Sequence, residues 1–166
     1  MDGMTRINRS LRILVRLGAI TAGIIGIERL CIAPYAANRI LHRVDIRSHA
    51  AVAAGDPQRA AILARTSLSD LRSIASIGKD EVNYHLLFAA NARLINQPAE
   101  AFAHYDAALR ADQRPEIYLQ RGLTLIELGR IAEAIPNIVT AARFNPTILD
   151  DLDPSIRQQV VRGLQH

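Results

Sequence analysis

Five histidines, one cysteine and a group of C-terminal aspartates are the residues of this 166-residue chain whose types suit chemistry. The histidines are His42, His49, His85, His104 and His166. A helical metal site needs two of them one turn apart, yet no pair stands at i,i+4, and neither H-E-x-x-H nor C-x-x-C occurs. His42 and His49 share a helix face with Asp45 between them, which fits a solvated face better than a metal site. His85 fits a core or interface position. Asp150, Asp151 and Asp153 lack the spacing and the glycine of a calcium loop, and suit helix capping instead. Cys31 has no recognisable base partner and, as the single cysteine, excludes an intramolecular disulfide or a multi-cysteine zinc site. No G-x-S-x-G, Walker loop or G-x-G-x-x-G is present. These residues predict no enzyme, no catalytic residue, no metal and no cofactor. An enzyme with an unrecognised site would have to reveal itself as strongly shifted titratable groups in a deep pocket.

The elements that would position any site are helical. The chain is 49% hydrophobic and 22% charged, so it is not disordered overall. With 4% aromatic residues and no Trp, its core must come from Ala, Leu, Ile and Val. The net charge of +4 is unevenly placed. Residues 1–50 hold eight Arg against Asp2, Glu28 and Asp45, a net of +5. Residues 51–166 hold twelve basic and thirteen acidic residues, a net of −1. A nucleic-acid surface needs a basic stripe on the folded part, so no nucleic-acid partner is expected.

Residues 1–34 read as a targeting or membrane segment. Arg6, Arg9, Arg12 and Arg16 lead into the apolar run 17–27. That run is about 16 Å long as a helix against roughly 30 Å of hydrocarbon, so it cannot span alone. Extended over residues 11–33 it can span as a tether, with Arg12 and Arg16 snorkelling at one end and Glu28 and Arg29 near the other. An uncleaved anchor is the favoured reading; a cleaved signal and a buried or interfacial helix are the alternatives. The early Arg cluster favours a bacterial inner-membrane protein, single-pass, with a periplasmic C-terminal domain.

Internal repetition is the strongest signal. When residues 96–113 slide onto 129–146, Ala99, Glu100, Ala101, Ala108 and Arg110 meet Ala132, Glu133, Ala134, Ala141 and Arg143. Phe102 and Tyr105 meet Ile135 and Ile138, and Asn96 meets Gly129, both tolerant of a positive-φ turn. A helix-turn-helix unit explains this: a small Ala lets the two helices approach, and a large residue one turn later fills the groove. These positions resemble the tetratricopeptide repeat (TPR). The best copy is Pro115–Ile148, with Tyr118, Gly122, Leu125, Gly129, Ala134, Ile138, Ala141 and Pro146 in place. Arg121 departs from the family's Leu, and Pro136 should bend the second helix. A weaker copy spans Val82–Arg114. A degenerate one begins with residues 36–54 and turns at Gly55-Asp56-Pro57. In it, Pro57 and Ala60 precede Pro98 and Ala101 by 41 residues, so its second helix is expected to be two turns longer or broken near Thr66–Ser69. Asp153 and Pro154 start a last helix, 154–164, that should cover the open face of the final repeat. The expected architecture is all-α: an N-terminal segment 1–34, a TPR-like α-solenoid 35–148, and a capping helix within 149–166. An unrelated antiparallel helix bundle is the alternative.

The resemblance implies a concave groove lined by the first helix of each repeat. Carrying over the family's groove positions gives Asn83, Leu86, Ala90, Arg93 and Leu94 in one copy, and Glu116, Leu119, Leu123, Ile126 and Glu127 in the next. Only Asn83 and Arg93 suit a carboxylate clamp, so an amphipathic helix or peptide of a protein partner is favoured over an acidic C-terminal peptide. The chain's own terminal helix is the rival occupant. Together these features suggest a membrane-tethered adaptor of a bacterial envelope assembly such as a secretion, pilus or polysaccharide-export system. The alternative is an integral accessory subunit packing through Gly18, Gly23 and Gly26.

Overall fold

The computed structural model describes residues 21, 24–28, 32–78 and 81–165, and among them there is helix and no strand. The chain divides into a unit of residues 1–39 and a unit of residues 40–166. In the first, residues 24–27 are helical, and Ile24, Ile25, Ile27, Ile32 and Tyr35 are exposed. Most of the expected membrane segment 11–33 lies outside the described residues. Among the described residues, no helix is long and apolar enough to cross a membrane.

The helices are α1 (Ala33–Val52), α2 (Pro57–Ser73), a single turn α3 (Ala75–Gly78), α4 (Val82–Leu94), α5 (Pro98–Ala111), α6 (Pro115–Glu127), α7 (Ile131–Phe144) and α8 (Pro154–Leu164). A 3-10 segment, Pro146–Asp151, joins the last two. Three turns are built alike. Gly55, Asn96 and Gly129 follow α1, α4 and α6 with φ of 66°, 57° and 72°. This left-handed backbone ends one helix and lets the next begin within two residues. Asp56 and Pro57 start α2, the Asp56 carboxylate accepting from the Gln58 N–H at 2.9 Å.

The four helices α4 to α7 form two antiparallel hairpins that stack through α5 against α6. Small residues set the spacing: Ala101, Ala108, Ala134 and Ala141 are buried, and so are the large partners Tyr105 and Ile138. The α2 helix packs on α4, as the second helix of a preceding repeat would. It runs unbroken for 17 residues against 14 in α5 and α7, so the expected break near Thr66–Ser69 does not occur. Ser67 and Leu68 are fully buried there, which holds the helix together. The surplus length is taken up by three extra helical residues, then Ile74 and α3.

The α7 helix continues through Pro136, whose position on the exposed face leaves the lost backbone bond on the solvent side. The α8 helix starts where Asp153 caps it, accepting from the Ser155 N–H at 2.8 Å. Its Ile156 and Val160 close a core with Leu125, Ile138, Val139 and Leu152. A Cβ added to Gly163 would lie 2.8 Å from Val139 Cγ2, so α8 and α7 approach closely.

Candidate docking groove

Three helices, α1, α4 and α6, line one groove. Its main cavity, about 410 Å³, is walled by Ser48 and Val52 of α1, Leu86, Leu87 and Ala90 of α4, and Ile117 and Gln120 of α6. Tyr105 of α5 forms its floor, and Asp45, His49, Arg114 and Glu116 stand at its edge. A second cavity of about 340 Å³ shares Ser48, Val52, Ala90, Tyr105 and Gln120, and extends the groove to Arg93, Leu94 and Glu127.

Buried polar contacts hold the walls in place. Asn91, fully buried on α4, donates through Nδ2 to Ser48 Oγ on α1 and to the Leu87 carbonyl, both at 2.7 Å. Ser48 in turn donates to the Val44 carbonyl at 2.8 Å. Arg47 of α1 reaches Asp70 of α2 at 2.8 Å. These bonds fix α1 against the repeats, which apolar periodicity alone would leave free to slide.

Arg93 spans from α4 to α6. Its Nε donates to Glu127 at 3.1 Å and its Nη1 donates to Gln120 Oε1 at 2.6 Å. Burial by itself would lower the Arg93 pKa, but the Glu127 carboxylate outweighs it and the net shift is upward. Burial also raises the pKa of the Tyr105 phenol beside it, keeping it neutral at physiological pH. Arg93 is therefore committed internally and cannot clamp a partner's carboxylate without losing Glu127. At the edge, Arg114 pairs with Asp112 at 2.6 Å.

The groove gathers six of the sequence-selected residues: Leu86, Ala90, Arg93, Leu94, Glu116 and Glu127. The other four lie elsewhere. Asn83 is exposed in the first turn of α4, outside the two cavities. Leu119, Leu123 and Ile126 pack against the core closed by Leu152, Ile156 and Val160. They belong to the last repeat, whose outer side receives the terminal segment where a further repeat would otherwise stack. The terminal segment thus packs on α7 and closes the core that Leu119, Leu123 and Ile126 enter, while the groove walled by α1, α4 and α6 stays open.

Arg121, the departure from the repeat pattern, has a structural task. It donates to Asp106 Oδ1 of α5 through Nη2 at 2.9 Å and to Asn137 Oδ1 of α7 through Nη1 at 3.0 Å. Its guanidinium also sits 4.7 Å from the Phe102 ring centroid. One side chain thus joins three helices by a charged fork that Leu could not supply.

The fold is similar to that of a solved structure, a thermophilic TPR protein of Thermus thermophilus. The match covers 93% of this chain and 78% of that one, with a TM-score of 0.59 and 21% identity. The fold is TPR-like. No known protein-family profile matches the chain, and no curated protein matches it. The signal for Asn91 and Ser48 was in the sequence only as two polar residues on apolar helix faces; nothing in their spacing, 43 residues apart, links them.

Proposed function

We propose that this chain is a protein-docking scaffold whose groove between α1, α4 and α6 receives an amphipathic helix of a partner protein. We also propose that residues 11–33 tether it to a bacterial inner membrane, with the repeats on the periplasmic side of an envelope assembly. The observation that carries the docking role is a mostly apolar, open groove whose arginines are already matched. Arg93 is matched by Glu127 and Arg114 by Asp112. Glu116 remains at the rim with no ion-pair partner among the described residues. The best-matched occupant is therefore a helix with an apolar stripe and a flanking Lys or Arg to meet Glu116. The tether draws its support from the Arg-led apolar run and from the exposed Ile24, Ile25, Ile27 and Ile32.

A photo-crosslinking residue placed at Ala90 or Val52 of the full chain tests the docking surface in cells. Adducts should form there, disappear with Leu86→Asp, and be absent from a probe at Arg110 on the exposed side of α5. Equal labelling at Arg110 would sink the docking role. Membrane fractionation with protease accessibility tests the tether separately, and a chain found wholly in the soluble fraction with its N-terminus intact would remove it.

A further inference from the structure

Away from the groove, two histidines that lie 19 residues apart in sequence meet across the α4–α5 hairpin. Their Nδ1 atoms are 2.9 Å apart, and their ring centroids are 5.0 Å apart. The surroundings fix the rings. His104 stacks on Phe88 with centroids 3.8 Å apart and planes 1° from parallel. Tyr84 meets His85 edge-on at 5.3 Å. Both imidazoles are half-buried, so an ion can reach them from solvent. The nearby charges are opposed: Arg72 of α2 binds Glu100 of α5 at 3.2 Å.

The spacing has a chemical meaning. Two nitrogen ligands at about 2.0 Å from a metal, in cis positions of a square or tetragonal site, stand about 2.8 Å apart; at a tetrahedral centre they stand about 3.3 Å apart. The observed 2.9 Å lies near the first value. We propose that His85 and His104 form a two-histidine site for a divalent transition ion with tetragonal preference, Cu²⁺ foremost, which clips α4 to α5. No cluster of three or more His, Cys, Asp or Glu surrounds it among the described residues, so the remaining positions would have to be supplied by water. Without metal, one ring donates its Nδ1–H to the other's Nδ1.

The test is titration of the full chain with Cu²⁺ alone at pH 7, followed by electron paramagnetic resonance and thermal unfolding. One ion should bind with two nitrogen ligands in the superhyperfine pattern and raise the melting temperature. His104→Phe and His85→Phe should each weaken that ion at least tenfold, with folding confirmed by circular dichroism. The double variant His42→Ala/His49→Ala should leave it unchanged. If either Phe variant unfolds, the nitrogen count in the wild-type spectrum decides. Equal affinity in wild type and His104→Phe, or a single-nitrogen spectrum, would show that the pair is a plain hydrogen bond and overturn the proposal.

Discussion

Replacing Gly122 with Ala isolates the close approach on which the last hairpin depends. A Cβ at Gly122 would lie 2.7 Å from Ile138 Cγ1 and 3.3 Å from both the Ala134 carbonyl oxygen and Asn137 Cβ. Ile138 is fully buried and cannot retreat into solvent. Two effects oppose each other. Ala gains about 1 kcal/mol over Gly inside a helix. Overpacking against a fixed neighbour costs about 1–3 kcal/mol, and the contact with Ala134 backbone places this site toward the upper end. The net expectation is a loss of roughly 1–2 kcal/mol, or about 3–6 °C in melting temperature for a chain of this size. Urea unfolding of four proteins (wild type, Gly122→Ala, Ile138→Ala and the double variant) reads it. Ile138→Ala removes the Cγ1 atom that causes the clash. In that background Gly122→Ala should therefore reverse sign and stabilise by up to about 1 kcal/mol. If Gly122→Ala stabilises the wild type, or shifts both backgrounds equally, then α6 and α7 do not meet as described.

Arg121→Leu restores the residue type of the repeat pattern yet should destabilise by about 1 kcal/mol, because Asp106 and Asn137 lose their shared donor; Arg121→Lys should recover little of it, as read by urea midpoints. Asn91→Ala should cost about 1–3 kcal/mol and speed hydrogen exchange in residues 44–52 more than in α6 and α7, since it frees α1. In chelator-treated protein, the depressed His104 pKa gives stability a defined pH dependence. The unfolded imidazole takes up its proton near pH 6.5, whereas the folded one waits until about 4. This contribution is therefore complete above pH 6.5 and is lost as pH falls from there toward 4. His104→Phe should flatten that slope, and a slope unchanged by the substitution would contradict the assignment.

What the sequence disclosed follows from what each feature depends on. The turns at Gly55, Asn96 and Gly129 and the caps at Asp56 and Asp153 are local, so residue type and spacing were enough to place them. The Ala-Glu-Ala recurrence located α5 and α7 because each hairpin needs the same small residue at the same depth. Long-range features were hidden. The two histidines belong to helices whose relative rotation sets their meeting, and a search for i,i+4 pairs on one helix could not find them. Leu119, Leu123 and Ile126 have groove spacing, but which neighbour a face meets depends on whether another repeat or a terminal cap follows. Arg121 reads as a departure in sequence because its partners, Asp106 and Asn137, come from two other helices.

The open groove and the partly buried flank of α6 follow from one asymmetry. A solenoid helix has two long flanks, one toward the preceding repeat and one toward the next. On α6 the following flank enters the core that the terminal segment closes, where Leu119, Leu123 and Ile126 are partly buried, as are Ile148, Leu149 and Leu164 of that segment. The preceding flank faces α4 and α1, and these are held apart by polar bridges rather than filled by large side chains. Arg93 reaches across to Glu127, and Asn91 reaches across to Ser48. A long charged bridge keeps a gap open where a leucine would draw the walls together. Replacing the Arg93–Glu127 pair by Leu and Ala should therefore narrow the groove without unfolding the hairpins. Crosslinking from Val52 should then fall while the melting temperature holds, a dissociation of binding from stability that a merely structural ion pair would not produce.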